Sequence, residues 1–206
     1  NKEFNSYEVT HVQELVENHY WIFGEQYNLI TSAEPDFELA LKGMIKAETG
    51  MEEEIHIEHP DKNKEMDLYM IRQDRKGKLR QDRQGKVTEN VVVELKRPKI
   101  KLGEKELSQV KKYMRVIKDT PRFNAGNVKW MFYLVGNEFD KSHYILGELE
   151  SHKHLGEQHL VHCQDDGLTK IYVLKWSEIF DDYSKRHDFL MEHLKLEEKL
   201  WLETHE

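Results

Sequence analysis

The run Val91-Val92-Val93-Glu94-Leu95-Lys96, entered from Asn90, constrains the fold more than any other segment. It is β-branched and apolar enough for a core strand, and Arg97-Pro98 ends it, because proline cannot donate to a central ladder. Side chains alternate along a strand, so Glu94 and Lys96 share one face while Val93 and Leu95 share the other. Two charges at the end of a core strand are costly unless they are paired or bind something. An ion pair would meet that demand, and so would a ligand site.

The segments around this strand read as an α/β order. Apolar spacing predicts a helix within Val9 to Phe23, closed near Gly24. A short helix is expected from Phe37 to about Gly50, and a short strand over Ile55-His56-Ile57-Glu58. Met66 to Ile71 reads as a strand. The polar stretch Arg72 to Glu89, with turn points at Gly77 and Gly85, reads as a long hairpin or a loop. Helices are expected over Glu104 to Lys118, Phe139 to Leu149 and Trp176 to Trp201, and strands over Lys129 to Val135 and Lys170 to Trp176. No Pro/Gly/Ser linker divides the chain. The expectation is one domain over residues 1–206, with a helical N-terminal region (residues 1–50), an α/β core (residues 51–176) and a C-terminal helix (residues 177–206).

No apolar stretch reaches the roughly 18 residues of a transmembrane helix, and the start Asn1-Lys2-Glu3-Phe4 has no signal core. A cytoplasmic location is therefore expected. The single Cys163 fits a reducing compartment. The first residue is not Met, which suggests a fragment of a longer protein.

The formal net charge of -8 argues against nucleic acid when taken alone. Its distribution argues otherwise. Between Arg72 and Lys118 there are sixteen Lys and Arg against six Asp and Glu. Binding to phosphate depends on the local field, so this segment is a candidate contact surface.

Asp67 begins the strand before Glu94 and can lie beside it if the two strands pair antiparallel. Two carboxylates at strand ends suit Mg²⁺ or Mn²⁺, which polarises a phosphodiester and lowers the pKa of a bound water. A lysine beside them can orient that water and stabilise developing charge. On the helix that follows, Gln109 can reach a water or a phosphate, and Lys112 lies about one turn on.

Val92-Val93-Glu94-Leu95-Lys96-Arg97-Pro98 followed by Gln109 resembles the Glu-x-Lys and Gln motifs of the PD-(D/E)xK nuclease superfamily. The likeness is nearest to the Shedu-type antiphage nuclease domain and to related domains C-terminal to GHKL-type ATPases. Tyr20-Trp21-Ile22-Phe23-Gly24-Glu25-Gln26-Tyr27, Tyr133-Leu134-Val135-Gly136-Asn137-Glu138 and Leu174-Lys175-Trp176-Ser177-Glu178-Ile179 resemble other blocks of those domains. The likeness spans roughly Glu14 to Leu194.

The resemblance implies a restriction-endonuclease-like mixed sheet flanked by helices. It implies Asp67 and Glu94 as metal ligands with the Leu95 carbonyl, Lys96 as catalytic lysine and Gln109 as its helix partner. An acid on the first helix would be Glu25, or alternatively Glu14. Lys76, Lys78, Arg80, Arg83, Arg97, Lys99, Lys101 and Lys112 would contact DNA. It also implies antiphage defence, a homo-oligomer, and a sensor or ATPase domain elsewhere in the longer chain. No proline precedes Asp67. The literal Pro35-Asp36 and Pro60-Asp61 pairs are rejected, because neither Asp begins an apolar strand leading to Glu94.

Other clusters read more plainly. His152, His154, His159, His162 and Cys163 fit no zinc spacing and read as a solvated loop. Met114, Trp130, Phe132 and Tyr133 read as core. A non-catalytic module of the same fold, used for DNA binding or assembly, is the competing function.

Overall fold

The structure, a computed structural model, describes residues 14–31, 36–49, 54, 56–61, 66–72, 81–82, 85–86, 88–123 and 128–205. Residues 14–18 form a helical segment, α1, and a 3-10 turn follows at Tyr20–Phe23. The remaining helices are α2 (Phe37–Thr49), α3 (Glu104–Asp119), α4 (Tyr144–His152) and α5 (Trp176–His205). The strands are β1 (Tyr27–Thr31), β2 (Leu68–Arg72), β3 (Gln81–Asp82), β4 (Gly85–Lys86), β5 (Thr88–Leu95), β6 (Val128–Gly136), β7 (Leu160–Gln164) and β8 (Thr169–Lys175).

Six strands make one mixed sheet in the order β1-β2-β5-β6-β8-β7. β1, β2 and β5 are antiparallel neighbours; β5, β6 and β8 run parallel; β7 turns back against β8. The parallel pairs need long crossovers. α3 lies in the connection from β5 to β6, and α4 and β7 in that from β6 to β8.

Strand parity divides the core in two. Tyr69, Ile71, Val92, Trp130, Phe132, Leu134, Ile171 and Val173 face α2, α3 and α4. Leu68, Met70, Val91, Val93 and Val135 face α1, the 3-10 turn and the start of α5. The central strands β5 and β6 are therefore apolar on both faces, as strands covered on both sides must be.

Several expectations need correction. Residues 56–59 adopt no regular structure, and Ile55 lies outside the described residues. The helix expected from Phe139 begins only at Tyr144. Asp140 accepts hydrogen bonds from the backbone N–H and the hydroxyl of Ser142, which form a turn, and Phe139 instead bridges Leu102. Two strands were not anticipated. β1 and β7 are the sheet edges, where polar side chains such as Asn28, His162 and Gln164 interrupt the apolar pattern. His162 and Cys163 thus belong to a strand rather than a loop. Within the basic stretch the described residues form a small two-stranded pairing of β3 and β4.

One buried polar pair ties β2 to β5. The Tyr69 hydroxyl donates to Asn90 Oδ1 at 2.6 Å, and both residues are fully buried. Removing the donor leaves a buried acceptor unsatisfied. Tyr69→Phe is expected to lower stability by about 1–3 kcal/mol. In urea unfolding this would appear as a lower midpoint at unchanged slope, and an unchanged midpoint would refute it.

Candidate functional site

The register of β2 on β5 brings the two candidate acids to one place. Leu68 pairs with Val93, so the next step outward sets Asp67 beside Glu94. Parity then directs Asp67, Glu94 and Lys96 toward the face covered by α3. The site lies at the carboxyl ends of the parallel strands, where β5 leaves the sheet.

Glu94 is buried at 6% exposure, and Lys96 is largely buried beside it. Lys96 Nζ donates to Glu94 Oε1 at 2.5 Å and to Gln109 Oε1 at 2.8 Å. Gln109 Nε2 donates to Glu94 Oε1 at 2.8 Å and to the Tyr113 hydroxyl oxygen at 2.7 Å. The Tyr113 hydroxyl donates to Glu94 Oε2 at 2.8 Å. Both oxygens of the buried carboxylate are therefore satisfied. Lys96 uses two of its three donors in this network, which leaves one for a water or a phosphate.

Gln109 and Tyr113 are four apart on α3 and therefore lie on one face. Tyr113 is the residue that sequence reasoning missed as a site member. Its signal was this spacing, which places a second polar tip next to the first. Burial pushes the Tyr113 hydroxyl far above its usual range, and the nearby Glu94 charge pushes it further. The Asp67 charge also raises it. The shift favours the neutral hydroxyl, which donates to Glu94.

Asp67 accepts a hydrogen bond from the Leu95 backbone N–H. The Lys96 N–H donates the other way, to Val135 of β6 at 2.7 Å. A strand residue directs its N–H and C=O to the same flank, so the Leu95 carbonyl opens toward Asp67. β2 begins only at Leu68 and does not cover that flank with a strand. Two carboxylates and one carbonyl are the hard oxygen donors that Mg²⁺ or Mn²⁺ takes, with waters completing an octahedron. The donor types suit such an ion, with Glu94 at present engaged by Lys96, Gln109 and Tyr113. Among the described residues no group of three or more His, Cys, Asp and Glu side chains is gathered to hold a metal.

The other candidates separate. Glu25 lies in the turn before β1, mostly exposed, with Arg186 of α5 at 3.5 Å. Its neighbour Tyr27 pairs with Arg72, at the far end of β2 from Asp67. Five residues of strand make that separation about 17 Å. Glu14 is exposed on α1, across the sheet from α3. Neither acid joins Asp67 and Glu94. Arg97 and Lys99 are exposed on the loop leaving β5. Lys101 lies on that loop with its charge matched by Glu138 at 2.9 Å, and this contact holds the Glu138 carboxyl below its usual range. Lys112 is exposed on α3. Lys76, Lys78, Arg80 and Arg83 lie outside the described residues.

No family model matches the chain, and neither does any curated protein or solved structure. The site therefore stands on its own geometry.

The network makes a stability prediction of its own. Glu94→Ala and Lys96→Ala should each cost about 3 kcal/mol, because each strands a buried charge. The double variant should cost less than the sum, with a coupling of about 1–3 kcal/mol. Strictly additive losses in urea unfolding would show that the two charges do not support each other.

Proposed function

We propose that this chain is a metal-dependent DNA endonuclease of the PD-(D/E)xK type, with a restriction-endonuclease-like fold. The observation that carries the reading is the convergence of Asp67, Glu94, Lys96 and Gln109 at one strand end. Glu94 is buried, Lys96 is paired to it, and the half-buried Asp67 stands on the neighbouring strand, so three charged groups share one strand end. The antiparallel strands β1, β2 and β5, followed by α3 and the parallel β6, support the same reading.

Asp67, Glu94 and the Leu95 carbonyl would hold one or more Mg²⁺ or Mn²⁺ ions. Such an ion, when bound, supplies charge to polarise the phosphodiester and acidify a water. Lys96 orients the attacking water with its remaining donor and stabilises charge on the phosphate. Gln109 holds Lys96 in place. Tyr113 fixes the Glu94 carboxylate from its second oxygen. Arg97, Lys99 and Lys112 contact flanking phosphates, together with Lys76, Lys78, Arg80 and Arg83 of the basic stretch. Antiphage defence, a homo-oligomer and a sensor or ATPase domain in a longer chain belong to this proposal through the likeness of the motifs.

A second reading is a non-catalytic DNA-binding or assembly module. It is favoured by the saturation of both Glu94 oxygens, which makes the cluster a closed ion-pair network. Exposed Phe180, Phe189, Met191 and Leu194 on α5 add apolar surface that assembly would cover.

Plasmid cleavage separates the two. Wild type should nick or linearise plasmid in Mg²⁺ or Mn²⁺ and not in chelator. Lys96→Met and Asp67→Asn should each reduce the rate by about 100-fold or more. Circular dichroism would verify that both variants fold. Equal cleavage by wild type and both variants would sink the assignment, and absent cleavage by folded wild type would favour the second reading.

A further inference from the structure

Four of the five basic residues of α3 fall into two groups that the helix separates, and Arg115 is exposed between them. Lys111 and Lys118 lie on the edge toward α4 and β7. Glu148 approaches Lys111 at 3.7 Å, and Asp165 approaches Lys118 at 2.8 Å. Lys105 and Lys112 lie on the opposite edge, both exposed. Among the described residues neither has a carboxylate within ion-pair distance. The helix therefore neutralises one basic edge and leaves the other uncompensated.

The uncompensated edge is the one that carries the site. Lys105, Gln109 and Lys112 stand at i, i+4 and i+7, one face of a helix. At 1.5 Å rise per residue, Lys105 sits about 6 Å before Gln109 and Lys112 about 4.5 Å beyond it. Gln109 itself is bonded to Lys96 and Glu94. Arg97, immediately after Lys96, is exposed on the adjoining loop. Among the described residues it too has no carboxylate partner. Unneutralised amines on a partly buried helix raise the local potential in a chain that is acidic overall.

We infer that Lys105, Lys112 and Arg97 form a phosphate track for the DNA backbone, with the strand crossing α3 over Gln109. The inference rests on the DNA reading of the site and adds Lys105 and the direction of the strand. Lys105 and Lys112 hold phosphates on either side of the one that meets Lys96. The contacts are to backbone charge, so binding is independent of sequence and weakens steeply with salt.

The test is fluorescence anisotropy on labelled duplex DNA in chelator, so that binding is read without cleavage. Lys105→Ala/Lys112→Ala should bind several-fold more weakly than wild type at low salt. The slope of log affinity against log salt should fall by about 2, one for each lost contact. Lys153→Ala is the control: it is exposed at the end of α4, three strands away from β5, and should bind as wild type does. Both variants change exposed residues, and circular dichroism would verify folding. The inference is overturned if the double variant keeps the wild-type affinity and slope, or if wild type does not bind DNA. Binding that depends on Lys105 and Lys112 without any cleavage in Mg²⁺ or Mn²⁺ would sustain the track and sink the nuclease. Cleavage that needs Lys96, with an unaltered salt slope in the double variant, would do the reverse.

Discussion

Burial of the Glu94 carboxylate is the constraint on which this end of the molecule is organised. A carboxylate removed from water needs its charge matched and its lone pairs filled. Along β5, strand parity puts Lys96 on the same face, and that pair alone would leave Oε2 without a donor. α3 supplies the rest. Its rotation on the sheet must place Gln109 and Tyr113 over the strand end, because those two side chains complete the set. The apolar residues Leu107, Val110, Met114 and Ile117 then fall on the core side of the same helix. Hydrophobic packing and polar satisfaction thus fix one and the same helix phase.

That arrangement also bears on the chemistry. Lys96 and a divalent ion would both draw on the negative charge of Glu94. Asp67 is held by the Leu95 N–H on the β2 side of β5, and the Leu95 carbonyl opens to the same side. The two carboxylates are thus differently engaged. Glu94 is enclosed by the side chains of Lys96, Gln109 and Tyr113, and Asp67 accepts a hydrogen bond from the Leu95 backbone N–H. Gln109 holds Lys96 from its other side, so the ammonium has a second anchor if Glu94 turns toward an ion.

Much of this was legible in the sequence, for identifiable reasons. Val91 to Lys96 announced both the central strand and the pair of charges on one face. Asp67 followed from the requirement that an apolar strand lead from it toward Glu94. Edge strands were illegible because they need less apolar surface: β7 offers only Leu160 and Val161 before His162 breaks the pattern. Glu25 was misplaced for a related reason. Without β1 in view, its turn reads as the end of the first helix, whereas it leads into a strand that runs to the far end of β2. Tyr113 was in plain sight, but its aromatic ring fits a core position equally well. Only the partners of its hydroxyl reveal that it belongs to the site.

Net charge alone does not decide how a surface meets a phosphate. A net charge of -8 predicts repulsion from phosphate only if charge is spread evenly. Fields between exposed groups fade within about 8–10 Å at physiological salt, so a phosphate responds to its immediate surroundings. What matters there is compensation rather than the number of lysines. Lys101, Lys111 and Lys118 each have an acid partner and add little to the outward field. Lys105 and Lys112 have none among the described residues, although they occupy the same helix as two of those three. The acids that pair with lysines of this helix, Glu148 and Asp165, both stand on its α4 and β7 side. The unevenness falls on the edge that also carries Gln109, and so the distribution of carboxylates, more than that of lysines, marks the side of the helix that DNA would approach.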